Sequence, residues 1–179
     1  MIMKSYKLFF IIFAISYITA SCGNDAEVKP IEIDQAKVEK IIEETNRVNI
    51  KIEDEQIDDY LRRRAWKFNH TKSGLRYKIY KQGSGLQPNA GEMVFLDYTI
   101  NLIRGDLMYS SQTDGPMIFK IDKDDVVSGL NEFVKMMRVG DKAKLIVPSY
   151  LGFGATGDDK KIPARATLIY DLTLRKIAK

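Results

Sequence analysis

Residues 139–174 read VGDKAKLIVPSYLGFGATGDDKKIPARATLIYDLTL, and this stretch decides the fold. Two apolar runs, Ala143–Val147 and Thr167–Leu174, flank a long loop. In the second run Leu168, Tyr170, Leu172 and Leu174 alternate with Thr167, Ile169, Asp171 and Thr173. A period of two predicts a strand with one buried face. The loop carries Gly152, Gly154 and Gly157, yet also Tyr150, Leu151, Phe153 and Ile162. A purely solvated loop has no need of an aromatic among its glycines. Glycine lets a backbone bend sharply, so the loop is expected to fold Phe153 and Ile162 back over the sheet as a cavity wall.

The preceding chain supplies the rest of that sheet. Leu75–Lys81 alternates Leu75, Tyr77 and Ile79 with Arg76, Lys78 and Tyr80, and predicts a strand. Met93–Ile103 predicts a longer one. Gly105-Asp106 closes a hairpin back to Leu107-Met108-Tyr109, and Met117–Ile121 follows Gly115-Pro116 as a further strand. Leu130, Phe133, Val134 and Met137 mark the buried stripe of a short helix, Leu130–Met137. The fold class is therefore α+β: a curled, mostly antiparallel sheet whose apolar concave face one short helix covers.

The run P-S-Y-L-G-F-G-A-T-G…I-P-A-R-A-T-L-I-Y-D-L-T-L, with V-F-L-D-Y-T, M-Y-S-S, V-V-S-G-L and V-G-D-K-A-K before it in that order, resembles the FKBP-type peptidyl-prolyl isomerases. The likeness spans roughly Gly74–Lys179, and is similar in particular to the gliding-motility-associated FKBP-type lipoproteins. It implies a half-barrel wrapped around the short helix, with a ligand pocket between helix, sheet and loop. By resemblance the pocket is lined by Tyr98, Met108, Tyr109, Met117, Val126, Val127, Leu130, Phe153, Ile162 and Tyr170. Val127 matches the position whose backbone amide holds a substrate carbonyl. Tyr109 stands where the family has a pocket aspartate, and Phe153 where a tyrosine is usual. Tyr98, Phe153 and Tyr170 also suit a plain core, and Tyr109 suits a plug in the cleft.

The residues themselves restrict the chemistry. G-x-S-x-G, H-E-x-x-H and phosphate-loop motifs are all missing from the sequence. His70 and Cys22 are single, too few for a histidine–cysteine metal site, and His70 reads as an exposed loop residue. No cofactor and no acid–base catalyst is expected. Prolyl isomerisation needs neither. The alternative is a non-catalytic module that holds unfolded chains or serves a surface machinery of the gliding type.

The chain has 179 residues and a net charge of +4. Both signs are interspersed with no basic stripe, which argues against nucleic acid as a partner. Lys4 and Lys7 precede the apolar run Leu8–Ile15, and Ile18-Thr19-Ala20-Ser21 leads to Cys22. Residues 1–21 read as a lipoprotein signal peptide, with Cys22 as the lipidated first residue of the mature protein; a plain cleaved signal is the other reading. Gly23 after the cysteine points by analogy to the outer membrane, facing the periplasm. Residues 22–33 read as a tether. Residues 34–68 read as a helical segment in two helices, one over Asp34–Asn49 capped by Asp34, the second opened by Glu53-Asp54-Glu55 and marked by Ile57, Leu61, Ala65 and Phe68. They either pack on the domain at 74–179 or on each other as a linker, or form a dimerisation arm. Proline-containing polypeptides are the expected partners.

Overall fold

The computed structural model describes residues 34–178. The expected signal peptide and tether, with Cys22, lie outside them. Helix α1 spans Gln35–Arg63. Its start is capped by Asp34, whose carboxylate accepts the Lys37 N–H at 3.3 Å and whose carbonyl accepts the Val38 N–H at 3.1 Å. Where two helices were expected there is one. No glycine or proline interrupts residues 35–63, so nothing in the backbone stops the helix at Asn49. Glu53, Asp54 and Glu55 consequently sit inside the helix rather than at a positive dipole end. Arg62 and Arg63 lie in its last turn, the negative end of the helix dipole. No described helix is long and apolar enough to cross a membrane.

The strands are β1 (Asn69–His70), β2 (Arg76–Lys81), β3 (Met93–Leu102), β4 (Leu107–Ser110), β5 (Met117–Lys120), β6 (Lys142–Val147) and β7 (Leu168–Ala178). A one-turn helix α2 (Ser111–Asp114) separates β4 from β5, and α3 (Ser128–Val134) separates β5 from β6. His70 is exposed, as expected, but belongs to the two-residue strand β1. All pairings are antiparallel, in the order β1-β2-β6-β7-β3-β4, with β5 also on β3. Strands β4 and β5 share one edge of β3: β5 pairs with Met93–Leu96 and β4 with Thr99–Asn101. The break between them is α2, capped by the Ser110 hydroxyl on the Gln112 N–H.

The concave face follows the period of two. Val94, Leu96, Tyr98, Ile100 and Leu102 of β3 point inward with Leu168, Tyr170, Leu172 and Leu174 of β7. Leu130, Phe133 and Val134 of α3, with Met137 just beyond it, fill the hollow as predicted. The opposite face is not simply solvated. Ile146 and Ile169, directly paired across β6 and β7, are covered by Ile57, Tyr60 and Leu61 of α1. Trp66 stacks on Phe68 beside them, ring centroids 5.7 Å apart. Arg76, on the outward face of β2, is buried by the same helix. Its guanidinium donates to Asp54 at 2.7 Å, to Asp58 at 3.1 Å and to the Gly74 carbonyl at 2.5 Å. Burial alone would lower the Arg76 pKa, but the two carboxylates outweigh it and raise it. The C-terminal half of α1 is thus packed on the sheet, by an apolar patch and a charged one.

Ile57 is fully buried against a neighbouring layer. Ile57→Ala is expected to cost about 3 kcal/mol, a transfer and cavity loss. Urea unfolding followed by circular dichroism measures it; a change under 1 kcal/mol (well below the usual range) would show that α1 contributes little to this core.

Candidate functional site

Between β6 and β7 the chain makes the long loop anticipated from its glycines. It opens with a single 3-10 turn, Ser149–Leu151, after Pro148. The Ser149 carbonyl accepts the Gly152 and Gly154 N–H groups at 3.0 and 2.8 Å, and the Gly154 carbonyl accepts the Arg165 N–H at 2.8 Å. These bonds draw the loop's two arms together. Gly154 and Gly157 have φ of +63° and +81°, the left-handed region in which a side chain is disfavoured. At Gly157 a Cβ would also lie 2.2 Å from the Ile162 carbonyl oxygen, so only glycine fits.

The loop does not lie in solvent. Ile162 is 3% exposed and joins the main core, and Phe153 packs against that core half-buried. Of the other residues expected to line a pocket, Tyr98, Leu130 and Tyr170 are buried in the same cluster. Met108, Tyr109, Met117, Val126 and Val127 are partly buried on its margin. All the predicted positions therefore meet in one apolar group, four of them buried and the others partly buried. Leu130 is a buried residue of α3, and Val127 is the residue just before that helix. The Val127 carbonyl accepts the Leu130 and Asn131 N–H groups at 3.0 and 3.1 Å, while its own N–H has no acceptor among the described residues. Burial raises the Tyr170 pKa and, with a lesser effect from Asp114, that of Tyr98. Both phenols are neutral at ordinary pH.

The Tyr109 hydroxyl is not free as a donor. Its hydroxyl donates to the Asp158 carboxylate in the loop. Lys161 sets its ammonium 4.6 Å from the centre of the same ring. The other Asp158 oxygen accepts three backbone N–H groups, from Lys160 at 3.0 Å, Lys161 at 2.9 Å and Ile162 at 2.7 Å. Asp158 thus folds the turn that delivers Ile162 to the core and ties it to β4. Burial would raise the Asp158 pKa, but the Tyr109 hydroxyl and the three N–H donors outweigh it and lower it. The Tyr109 phenol is pushed up to about 12, first by its bond to Asp158 and then by burial.

Asp158 was not legible as a site residue. It sits in the charged run Asp158-Asp159-Lys160-Lys161, which reads as a solvated face. The signal it does carry is local: an Asp four residues before a buried Ile, in a Gly-rich loop, suits a side-chain-capped turn. Elsewhere, a hollow of about 230 Å³ on the outer sheet face is lined by Tyr80, Asp97, Thr99, Lys142 and Asp171 among others. Its walls are mostly polar side chains rather than an apolar ring.

Residues 85–175 match the family described as FKBP-type peptidyl-prolyl cis-trans isomerase. The chain belongs to that family. It is 34% identical over 163 residues to the "Probable FKBP-type peptidyl-prolyl cis-trans isomerase FkpA" of Neisseria meningitidis, covering 89% of this chain and 57% of that protein. It is 38% identical over 125 residues to the FKBP-type isomerase FkpA of Aeromonas hydrophila, covering 68% and 46%. The chain thus spans about half the length of these curated relatives. A crystal structure of a peptidyl-prolyl cis-trans isomerase from Pseudomonas syringae superposes with a TM-score of 0.61, covering 74% of this chain and 96% of that one at 23% identity. That likeness speaks for the FKBP-type fold: an unclosed curled sheet about a short helix.

The Tyr109–Asp158 bond has a pH signature. A raised phenol pKa means the bond's contribution is fully present below the unfolded value of about 10 and is lost as pH climbs through the folded one. At about pH 10.5, where a free phenol is mostly ionised, the Cζ resonance of Tyr109 should still report the protonated form. Asp158→Asn should let it ionise there. An ionised Tyr109 in the unaltered chain at that pH would rule the bond out.

Proposed function

We propose that this chain catalyses cis–trans isomerisation of Xaa–Pro peptide bonds in other polypeptides. The observation that carries the reading is the packing of the Gly-rich loop: Phe153 and Ile162 fold onto the cluster that holds Tyr98, Leu130, Met117 and Tyr170, beside an N–H at Val127 without an acceptor among the described residues. The family to which the chain belongs supports it.

The chemistry asks little of side chains. Amide resonance sets the barrier of about 18–20 kcal/mol. Resonance places negative charge on the carbonyl oxygen, and water stabilises that planar, charged form. Twisting the bond abolishes the resonance. An apolar cleft that takes up the prolyl ring and excludes water therefore binds the twisted state better than the planar one. The Val127 N–H is suited to hold the carbonyl of a bound chain. Each 1.4 kcal/mol of preference gives about tenfold in rate, against an uncatalysed time of tens to hundreds of seconds.

Two substitutions temper the rate. Phe153 has no hydroxyl to offer a bound carbonyl, a loss of about 0.5–1.5 kcal/mol for a neutral hydrogen bond. The Tyr109 hydroxyl is engaged by Asp158. Methionine at 108 and 117 keeps bulk while making the rim more adaptable.

The setting we propose is the cell envelope. The leader and Cys22 support a lipid anchor, outer-membrane attachment and clients among exported or envelope proteins, with service to a gliding-type surface machinery as a narrower version. Ile41, Ile42, Val48 and Ile52 of α1 are each about half exposed. That stripe supports pairing of two chains through their helices.

A proline-limited refolding assay tests the activity. The chain should accelerate the slow phase, and Phe153→Ala should lower kcat/KM by about tenfold, the equivalent of 1.4 kcal/mol. Binding of unfolded chains with no acceleration would make this a holding module instead. Cys22→Ser should move the protein from the membrane to the soluble fraction; an unchanged distribution would remove the anchor.

A further inference from the structure

Glu53 of α1 makes contacts that the docking of the helix does not require. One carboxylate oxygen accepts the Ser149 N–H at 2.7 Å and the Thr167 hydroxyl at 2.5 Å, and the other accepts the Ser149 hydroxyl at 2.7 Å. Ser149 opens the Gly-rich loop and Thr167 closes it, immediately before β7. A single carboxylate therefore grips both ends of the loop, across 96 and 114 residues of sequence. The helix has other anchors on the sheet. Ile57, Tyr60 and Leu61 bury the apolar patch, and Asp54 and Asp58 hold Arg76. All three hydrogen bonds of Glu53 go to the loop.

The grip is passed on through backbone. The Ser149 carbonyl holds the N–H of Gly154, and the Gly154 carbonyl holds the N–H of Arg165. Phe153 is the residue next to Gly154. The series Glu53, Ser149, Gly154, Arg165 thus runs across the foot of the segment that carries Phe153 and, beyond the Asp158 turn, Ile162. The donors include one backbone N–H and two hydroxyls, and the acceptor is charged, which makes these bonds shorter and stronger than neutral ones.

We propose that Glu53, reaching the loop from helix α1, is a positioning residue for the prolyl cleft; this rests on the isomerase reading above. The β6–β7 pairing closes the loop's ends already, at Val147 and Leu168. Glu53 does something the strands do not: it fixes the orientation of the first turn after Pro148, and with it the angle at which Phe153 meets the core. A reacting geometry displaced by a fraction of an ångström loses rate without loss of fold.

The test uses the full chain carrying Glu53→Ala, Glu53→Gln or Leu61→Ala, read in two ways. Hydrogen exchange at the Ser149 and Gly154 amides reports the grip without reference to catalysis. Kinetics with an Xaa–Pro peptide report the cleft. Glu53→Ala should speed exchange at both amides and lower kcat/KM by about tenfold, the scale of a modest misplacement. Glu53→Gln keeps the acceptor oxygen and should restore most of both. Leu61→Ala weakens helix packing elsewhere and should lower thermal stability at least as much while leaving kcat/KM within about twofold, below the tenfold expected of misplacement. Unchanged exchange in Glu53→Ala overturns the grip. Faster exchange with unchanged kcat/KM overturns its role in the cleft, and so does an equal loss of kcat/KM in Leu61→Ala. An unaltered chain with no isomerase activity defeats the isomerase reading and the catalytic role together, while exchange still decides whether the grip exists.

Discussion

The antiparallel pairing of β3 with β7 is the constraint on which the rest of this structure depends. It runs from Met93 opposite Ala178 to Leu102 opposite Leu168, with a single irregularity between Phe95 and Leu96. Each strand places every second side chain on the concave face. A one-residue slip of either strand would turn that whole set outward, so the apolar pattern fixes the register. The twist that comes with such long strands curls the sheet, and α3 fills the curl. Once α3 is in place, Leu130 is buried in the core and Val127 is partly buried against it.

On that frame the loop between β6 and β7 is held at three places by different means. Ile162 and Phe153 attach it through apolar contact. Asp158 attaches it through the Tyr109 hydroxyl and three backbone N–H groups. Glu53 attaches its base from the far side of the sheet. Apolar contact alone is non-directional and would let the loop slide. The carboxylates supply direction, because each accepts from donors at fixed angles. A cleft of the proposed kind, working by shape and dryness, would need that direction more than a reactive group.

The two faces of the sheet explain why much of this was legible and some was not. The concave face follows strict alternation, so Leu168, Tyr170, Leu172 and Leu174 announced their strand, and Leu130, Phe133, Val134 and Met137 their helix. The likeness of the motifs brought with it a set of positions that meet in one apolar cluster. The convex face follows no such rule. Arg76 alternates like a solvated residue yet is buried, because α1 lies over it with two carboxylates. The helix itself read as two, since Glu53-Asp54-Glu55 resembles the acidic opening of a second helix although nothing there breaks the backbone. A stripe reports what a helix packs against, not where it ends.

The amino-acid sequence by itself determined the strands, the short helix, the glycine-hinged loop and the family, because each is written in local periodicity or in an ordered set of short motifs. It could not state what Glu53, Asp158 and Tyr109 do. Glutamates on a helix, aspartates in a charged run and a tyrosine on an edge strand all have ordinary solvated roles. Their partners lie 49 to 114 residues away along the chain. Hydrogen bonds between carboxylate and donor depend on a few tenths of an ångström, and only the folded sheet, with α1 on one face and the loop at its edge, brings those atoms within that range.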